Sequence, residues 1–199
     1  MRNIFADVIR ETNKILFGLT NVGLTKGMSD KRYLKWLYRL SFGKKLDLDD
    51  PKTFNEKLQW LKLYDRDPKY ITMVDKHEVK EYVAEKIGEK YIIPTLGVWE
   101  SFDEIDFDKL PDQFVLKCTH DSGGLAICRD KASFDKEKAR EKIEKSLASN
   151  FFWRGREWPY KDVKPRIIAE QYMTCGDGDL PDYRKKKRPG GICIATMPR

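Results

Sequence analysis

The segment FVLKCTHDSGGLAIC, at residues 114–128, is the feature that most constrains the fold of this chain. Two short apolar runs flank a turn with two consecutive glycines, a pattern typical of an antiparallel β-hairpin. The first run contains Lys117, whose ammonium group needs a compensating anion if the strand is buried. Because a glycine turn can offer backbone N–H groups to the same anion, the segment indicates a phosphate site. The alternative is a lysine at a strand edge beside an ordinary hairpin turn.

The chain before the hairpin shows a helical spacing of apolar side chains in three segments, at residues 29–46, 49–65 and 74–90. Their ends carry residues that favour helix starts and stops. The expected pairs and caps are Ser29 or Asp30 with Gly43 for the first helix, a Thr53–Glu56 capping box for the second, and an Asp75–Glu78 capping box with Gly88 for the third.

The pattern changes after the third helix. Residues 91–99 predict a short strand, residues 134–149 a helix and residues 166–173 a further strand. Residues 150–160 predict an aromatic loop with Arg154, Gly155 and Arg156 at its tip. This order, with no repeating βαβ unit, predicts an α+β chain.

Three further charged residues lie in or near these elements. Glu170 interrupts an otherwise apolar strand, as Lys117 does in its own strand. A buried carboxylate needs a partner, so the alternatives are a Lys117–Glu170 pair, a half-exposed strand, or a strand whose end lines an adenine slot with Met173. Lys76 and Lys80 are four positions apart and are expected on one helical face, where solvated lysines are the default interpretation.

The distribution of charge narrows the classes of function. The net charge of +7 comes from the two ends, because residues 1–45 carry a surplus of seven basic groups and residues 184–199 a surplus of six. The residues between them are mildly acidic, which argues against a specific nucleic-acid partner. The basic ends leave open a membrane-surface or interaction module, with the amphipathic residues 4–19 as a peripheral membrane contact.

Targeting signals and the spacing of the cysteines narrow the possible classes of protein further. No apolar run approaches the ~18 residues of a membrane span. The N-terminus lacks a secretory pattern, so we expect a cytoplasmic protein, with the inner face of the membrane as the alternative location. The four cysteines lack metal-site spacing, which argues against zinc and against a disulfide framework.

The order of these features resembles the nucleotide half of the ATP-grasp fold. A helix-starting Asp-Lys is followed by YIIP, a lysine-bearing strand, a Ser/Gly loop, a helix and the strand IIAEQYM. Residues 40–183, and KTFNEKLQWLKLYD, VDKHEVKEYVAEKIGEKYIIPTLGVW and PRIIAEQYM in particular, resemble the TupA-like ATP-grasp family of bacterial cell-surface polysaccharide biosynthesis. Its members are often labelled glycosyltransferases. The expected fold is therefore an N-terminal helical lobe followed by the nucleotide half of an ATP-grasp fold.

The resemblance implies ATP and Mg²⁺ as cofactors. A carboxylate would attack the γ-phosphate to give an acyl-phosphate and ADP, and an amine on a glycan, or on its lipid-linked precursor, would then displace phosphate from the acyl carbon. Positioning and charge neutralisation do most of the work in such transfers. The family therefore implies an ATP-dependent ligase or transferase of capsule or exopolysaccharide biosynthesis. The residues implied to bind the nucleotide are Lys76 and Lys117 at the phosphates, Ser122, Gly123 and Gly124 in the closing loop, and Glu170, Gln171, Tyr172 and Met173 at the adenine hinge.

The chain departs from the family pattern in two places. Asp121 lies in the phosphate loop, where it would repel a triphosphate unless it faces away. The sequence from residue 184 onward has no acidic residue to hold magnesium. These departures predict a missing C-terminal half and an inactive or incomplete chain. The expected division is a helical segment at 1–50, a helical lobe at 51–110, a partial nucleotide lobe at 111–183 and an unrelated basic tail at 184–199.

A sugar-nucleotide glycosyltransferase is a further alternative. It would use Asp177-Gly178-Asp179 as its Asp-x-Asp metal motif. The motif follows a strand outside any βαβ context, which argues against this function.

Overall fold

A computed structural model describes residues 23–175 and 178–179 of the chain. Short 3₁₀ turns connect several of the regular elements. The helices are α1 (Asp30–Phe42), α2 (Phe54–Tyr64), α3 (Lys69–Val74), α4 (Glu78–Ile87), α5 (Lys136–Leu147) and α6 (Phe152–Gly155). The strands are β1 (Thr95–Trp99), β2 (Phe114–Cys118), β3 (Leu125–Cys128), β4 (Ile167–Gln171), β5 (Thr174–Cys175) and β6 (Gly178–Asp179).

The central element is a four-stranded antiparallel sheet in the order β1-β4-β2-β3. The predicted hairpin forms its β2–β3 edge, with Lys117 opposite Leu125. The late strand β4 is inserted between β1 and β2, so that Glu170 lies opposite Thr95 on one side and Val115 on the other. β5 and β6 form a separate two-stranded ladder. The prediction of a mixed α+β chain is confirmed.

Local sequence signals account for the ends of the first two helices. The Ser29 hydroxyl accepts a hydrogen bond from the Arg32 amide, and α1 ends at Gly43, whose φ of 67° suits glycine. At the start of α2, Thr53 and Glu56 form the reciprocal capping box that their spacing predicts. These predictions are confirmed.

Two apolar clusters hold the fold together. The larger one packs one face of the sheet against α5 and includes Phe114, Leu116 and Ile143, all fully buried. The smaller one is formed by α1 and the chain that follows it, around Tyr33 and Leu34. Burial of side chains of this size stabilises a fold by roughly 1.5–3 kcal/mol each. The sheet face opposite α5 carries Lys117 and Glu170, so the candidate functional site lies on this face.

Two predictions about α4 are wrong. Glu78 does not complete a capping box, because its carboxylate accepts from Arg166 while Asp75 alone accepts from the first helical amides. Lys76 lies in the turn before α4, so it does not share a helical face with Lys80. Glu78 therefore pairs with Arg166, which is distant in the sequence, and does not take part in the cap of its own helix. Gly88 does end the helix, as predicted, with a φ of 100°.

The prediction for residues 150–160 is wrong in one respect. The segment contains α6 and a 3₁₀ turn, and Arg156 is not at an exposed tip but is only 2% exposed. Its guanidinium lies over the rings of Tyr33 and Trp153 and donates to Asp30 and to the Thr25 carbonyl. The rings of Tyr33 and Trp153 thus enclose the Arg156 guanidinium, which is not exposed to solvent as the prediction expected.

Several predicted features lie outside the described residues. They are the amphipathic segment at 4–19, Asp177 and the basic tail at 184–199. The division of the chain at residues 50, 110 and 183 stays a prediction. Among the helices of the described part, none has the length and apolar character that a membrane crossing requires.

Candidate functional site

Lys117 and Glu170 form an ion pair on the sheet face that looks away from α5. β2 buries Phe114, Leu116 and Cys118 against the core, so its intervening residues, Val115 and Lys117, take the other face. Glu170 pairs with Val115 across the β2–β4 ladder, one diagonal step from Lys117. The Lys117 ammonium donates to Glu170 Oε2. The paired interpretation of these two residues is therefore confirmed for the structure described.

Lys80 is a second lysine on the same carboxylate. Its Nζ lies 2.6 Å from Glu170 Oε1 and donates to the Ile93 carbonyl at 2.6 Å. α4 thus places one ammonium group, and β2 another, on the two oxygens of a side chain that is only 7% exposed. Burial opposes ionisation of Glu170, but the hydrogen bonds from Lys117 and Lys80 outweigh it and hold the pKa of the carboxyl below its usual value.

Lys76 reaches the same end of the hairpin from the turn before α4. Its Nζ donates to the Cys118 carbonyl at 2.6 Å and to the carbonyl of Asp121, and it lies 3.4 Å from Asp121 Oδ1. The Lys76 amide also donates to the Thr119 carbonyl at 3.1 Å. Lys76 is thus fixed beside the residue that follows Lys117 in β2, with a third of its side chain exposed.

Asp121 faces into the protein. Its Oδ2 accepts from the Gly124 amide at 2.6 Å and from the Ser146 hydroxyl at the end of α5. The side chain is 9% exposed, so its charge is neutralised internally by these donors and by Lys76. The repulsion that an aspartate in this loop would exert on a triphosphate is therefore reduced by its orientation.

The two glycines of the turn have different structural reasons. Gly123 has a φ of +148° with open space around its Cα, so it supplies a backbone conformation that other residues rarely adopt. A Cβ on Gly124 would lie 2.6 Å from the Ser146 Cβ, so this glycine permits close approach to α5. Ser122 and Gly123 are exposed, whereas Gly124 is buried. The solvent-facing part of the turn is therefore the Ser122–Gly123 pair.

The four residues that are predicted to bind adenine differ in burial and in their hydrogen-bond partners. Glu170 is buried within β4, and the Gln171 amide donates to the Pro94 carbonyl at 3.0 Å. Beyond the strand, the Tyr172 hydroxyl accepts from Arg129 Nε at 3.2 Å, and Met173 is 41% exposed. The backbone amide of Gln171 is thus hydrogen-bonded to the residue before β1, and Met173 exposes an apolar side chain just after the end of β4. The assignment of these residues to adenine stays a prediction.

A cleft of about 470 Å³ opens on the α4 side of the Lys80–Glu170 pair. It lies between α4 and the chain that leads into β1. Near it, Arg166 donates to Asp75 at 2.8 Å and to Glu78 at 2.6 Å, which ties β4 to the start of α4. The cleft is lined by His77, Glu78, Lys80, Glu81, Ala84, Glu89, Ile92, Pro94 and Thr95.

The structure brings most of the predicted polar residues together and adds others. Lys76, Lys117, Glu170 and the Ser122–Gly124 turn surround the end of β2. The sequence predicts Lys80 in solvent, and its spacing from Lys76 does not indicate the site, because the two lysines do not share a helical face. The role of Arg166 has no local signal in the sequence, because its partners are 91 and 88 positions away.

The described residues do not fit a magnesium site. Within residues 23–175 and 178–179, no three His, Cys, Asp or Glu side chains come together in a metal-binding arrangement. The carboxylates closest to the lysines, those of Glu170 and Asp121, already accept from ammonium, amide or hydroxyl groups. Hard divalent cations require several free oxygen ligands, which this cluster does not supply.

A comparison with protein-family models identifies the family of this chain. The model described as TupA-like ATPgrasp matches residues 56–185, from within α2 through β6, and this range includes the lysine cluster, which consists of Lys76, Lys80 and Lys117. Searches of curated proteins and of solved structures find no match.

Proposed function

Because this chain belongs to the TupA-like ATP-grasp family, whose members generally bind ATP and Mg²⁺, we propose that it binds the phosphates of ATP at the lysine cluster around the end of β2. Lys117 and Lys76 contact the phosphates, and Ser122 and Gly123 lie over them. The adenine ring lies beside β4, against Met173. The family supports an ATP-grasp-type function in outline, and the assignment of residues is our proposal.

The observation that carries the proposal is the excess of positive charge at Glu170. Two ammonium groups, those of Lys80 and Lys117, share one carboxylate that is 7% exposed. These three groups therefore carry one more positive than negative charge, and the carboxylate that the two lysines share is buried. An anion completes the neutralisation of the three groups, and a phosphate group supplies the required charge and acceptor oxygens.

The geometry of the turn supports the same ligand. Lys76 is already fixed at the end of β2, so its charge is positioned with little further loss of side-chain entropy. The inward orientation of Asp121 keeps its carboxylate away from the exposed Ser122 and Gly123. Backbone N–H groups in such a turn bind phosphate oxygens well.

The reaction that we propose is the ATP-dependent activation of a carboxylate. A substrate carboxylate oxygen attacks the γ-phosphorus of ATP, the bond to the β,γ-bridging oxygen breaks, and ADP leaves. An amine nitrogen then attacks the acyl carbon and displaces phosphate, which gives an amide. The described residues contribute charge neutralisation at the phosphates, which is the main requirement of phosphoryl transfer. We propose an acceptor in cell-surface polysaccharide biosynthesis, such as a uronic acid or an amino acid linked to a glycan.

ATP-grasp proteins generally bind magnesium together with the nucleotide. Among the described residues of this chain, no group of side chains provides ligands for that ion.

The test is calorimetric titration of ATP, with and without Mg²⁺, into the full chain and into Lys117→Met. Methionine keeps most of the aliphatic stem of lysine and removes the charge. We expect saturable binding by the unchanged chain and a loss of affinity of at least about tenfold in Lys117→Met, or ~1.4 kcal/mol.

Lys145→Met is the matched control, because Lys145 is exposed on α5 and the substitution removes the same charge. It should bind ATP as the unchanged chain does. A folded protein that does not bind ATP would contradict the proposal, and Lys117 would then be a structural partner of Glu170 alone. Equal losses of ATP affinity in both variants would mean that Lys117 acts only through the net charge of the protein.

A further inference from the structure

We propose that Lys80 is a positioning residue, which keeps the Glu170 carboxylate neutralised when Lys117 moves to the phosphates. The inference rests on the proposed function, because it assigns a role within the same site.

The two lysines that contact Glu170 are held by different numbers of acceptors. The Lys80 side chain is 14% exposed and has two acceptors, Glu170 Oε1 and the Ile93 carbonyl, each at 2.6 Å. The Lys117 side chain is 30% exposed, and within the described residues its ammonium group has Glu170 as its one hydrogen-bond acceptor. Lys80 is thus the fixed partner and Lys117 the exchangeable one.

The charge of the Glu170 carboxylate must stay compensated when Lys117 moves. If Lys117 transfers its hydrogen bond to a phosphate oxygen, the carboxylate loses the contact at Oε2 and keeps the contact at Oε1. A buried carboxylate with one ammonium partner remains compensated, whereas one with no partner is strongly destabilised. Lys80 therefore makes the transfer of Lys117 energetically accessible. Without Lys80, the carboxylate would retain Lys117 and compete with ATP for it.

A positioning role for Lys80 differs from direct contact with the nucleotide. Two of the three hydrogens of the Lys80 ammonium group are engaged by Glu170 and by the Ile93 carbonyl. A positioning residue acts only through Glu170, so its effect on ATP affinity must disappear once the carboxylate is removed. This dependence is measurable, and neither a phosphate ligand nor a purely structural lysine produces it.

The experiment is a double-mutant cycle with ATP affinity as the readout. Calorimetry measures ATP binding by the unchanged chain, Lys80→Met, Glu170→Gln and the double variant, each at a temperature well below its unfolding midpoint. We expect Lys80→Met to weaken ATP binding by about tenfold, within the usual range of coupling between sites. In the Glu170→Gln background, the same substitution should change the affinity by less than about twofold. Lys80→Arg, which keeps the charge, should retain most of the affinity.

Lys86→Met is the matched control on the same helix, because Lys86 is exposed and its ammonium lies over the Tyr82 ring. It should leave ATP affinity unchanged. Equal losses from Lys80→Met in both backgrounds would overturn the inference. An absence of loss from Lys80→Met in the otherwise unchanged chain, or an equal loss in Lys86→Met, would overturn it as well. If the unchanged chain does not bind ATP, the proposed function itself fails. If it binds ATP and loses binding in Lys117→Met alone, only the role of Lys80 is refuted.

Discussion

Ser146, in the last turn of α5, donates its hydroxyl hydrogen to the carboxylate of Asp121 in the hairpin turn. The two residues are 25 positions apart, and both lie within the protein, at 9% and 8% exposure. The contact joins the loop that we assign to phosphate binding to the helix that packs on the opposite face of the sheet. The position of the turn therefore depends on α5 as well as on the hairpin.

Ser146→Ala should lower the free energy of unfolding because it removes one donor from a buried carboxylate. Hydrogen bonds to charged groups contribute about 1.5–3 kcal/mol, and we expect a loss in this range. Chemical denaturation with urea measures it. Ser133→Ala is the control, because Ser133 donates to Asp130 at 2.7 Å on an exposed surface. That substitution should cost less than about 0.5 kcal/mol. Equal losses in the two variants would show that burial of Asp121 adds nothing.

Gly124→Ala should destabilise the protein through overpacking. The new Cβ would lie 2.6 Å from the Ser146 Cβ and 2.8 Å from Asp121 Oδ2, so the turn would have to move away from α5. Overpacking of this kind costs about 1–3 kcal/mol. Thermal and urea unfolding measure the change.

Gly27→Ala provides the comparison for Gly124→Ala, because Gly27 has open space around it and lies outside the hairpin. Its unfolding free energy should change by less than about 0.5 kcal/mol. A stability of Gly124→Ala equal to that of the unchanged chain would contradict the close approach of the turn to α5.

The parts of the fold that could be predicted from the sequence depend on short-range interactions. The capping box of Thr53 and Glu56 spans three positions, and the hairpin at 114–128 is encoded by two apolar runs and the glycines between them. Such signals act within a few residues, so they are visible without knowledge of the tertiary structure. The α+β class follows from the order of these elements.

The parts that could not be predicted depend on partners far apart in the sequence. Glu78 has the correct spacing from Asp75 for a capping box, but its carboxylate accepts a hydrogen bond from Arg166, which is 88 positions away. Lys80 lies in a helix where the sequence predicts a solvated lysine, but its side chain is only 14% exposed because β4 places Glu170 beside it. The order of strands in the sheet, which no local pattern encodes, therefore decides which lysines belong to the site.

Arg156 is expected to be a major contributor to stability. Its guanidinium donates to Asp30, 126 positions earlier, and to the Thr25 carbonyl at 2.6 Å, while Tyr33 and Trp153 cover it. Removing one member of a buried ion pair costs about 3–5 kcal/mol, and because Asp30 is partly exposed we expect Arg156→Met to lose about 3 kcal/mol. Urea unfolding measures the difference.

Arg154→Met is the matched variant for Arg156→Met, since Arg154 is two positions away and exposed. It should change the unfolding free energy by no more than about 0.5 kcal/mol. If Arg154→Met were as destabilising as Arg156→Met, the aromatic enclosure of Arg156 would have no special effect on stability.

Stability should depend on pH through Glu170. The pKa of this carboxyl is lowered in the folded protein, because the hydrogen bonds from Lys117 and Lys80 outweigh the effect of burial. The unfolded chain, with a pKa near the ordinary 4.5, therefore takes up the proton more readily. The stabilisation is fully present above that value and is lost as the pH falls through the lower folded pKa.

Glu170→Gln removes this titration and isolates its effect. The variant should be less stable than the unchanged chain at pH 7, by up to about 3 kcal/mol, because two ammonium groups lose their counter-charge. The difference should shrink as the pH falls below about 4.5, because the unfolded wild-type chain then takes up a proton at Glu170 that the folded carboxylate resists. Urea unfolding from pH 7 to pH 3.5 measures both curves, and Glu141→Gln on the exposed side of α5 should follow the unchanged chain throughout. A constant gap between Glu170→Gln and the unchanged chain would mean that Glu170 acts through packing, because only an ionised carboxylate produces a gap that closes in acid.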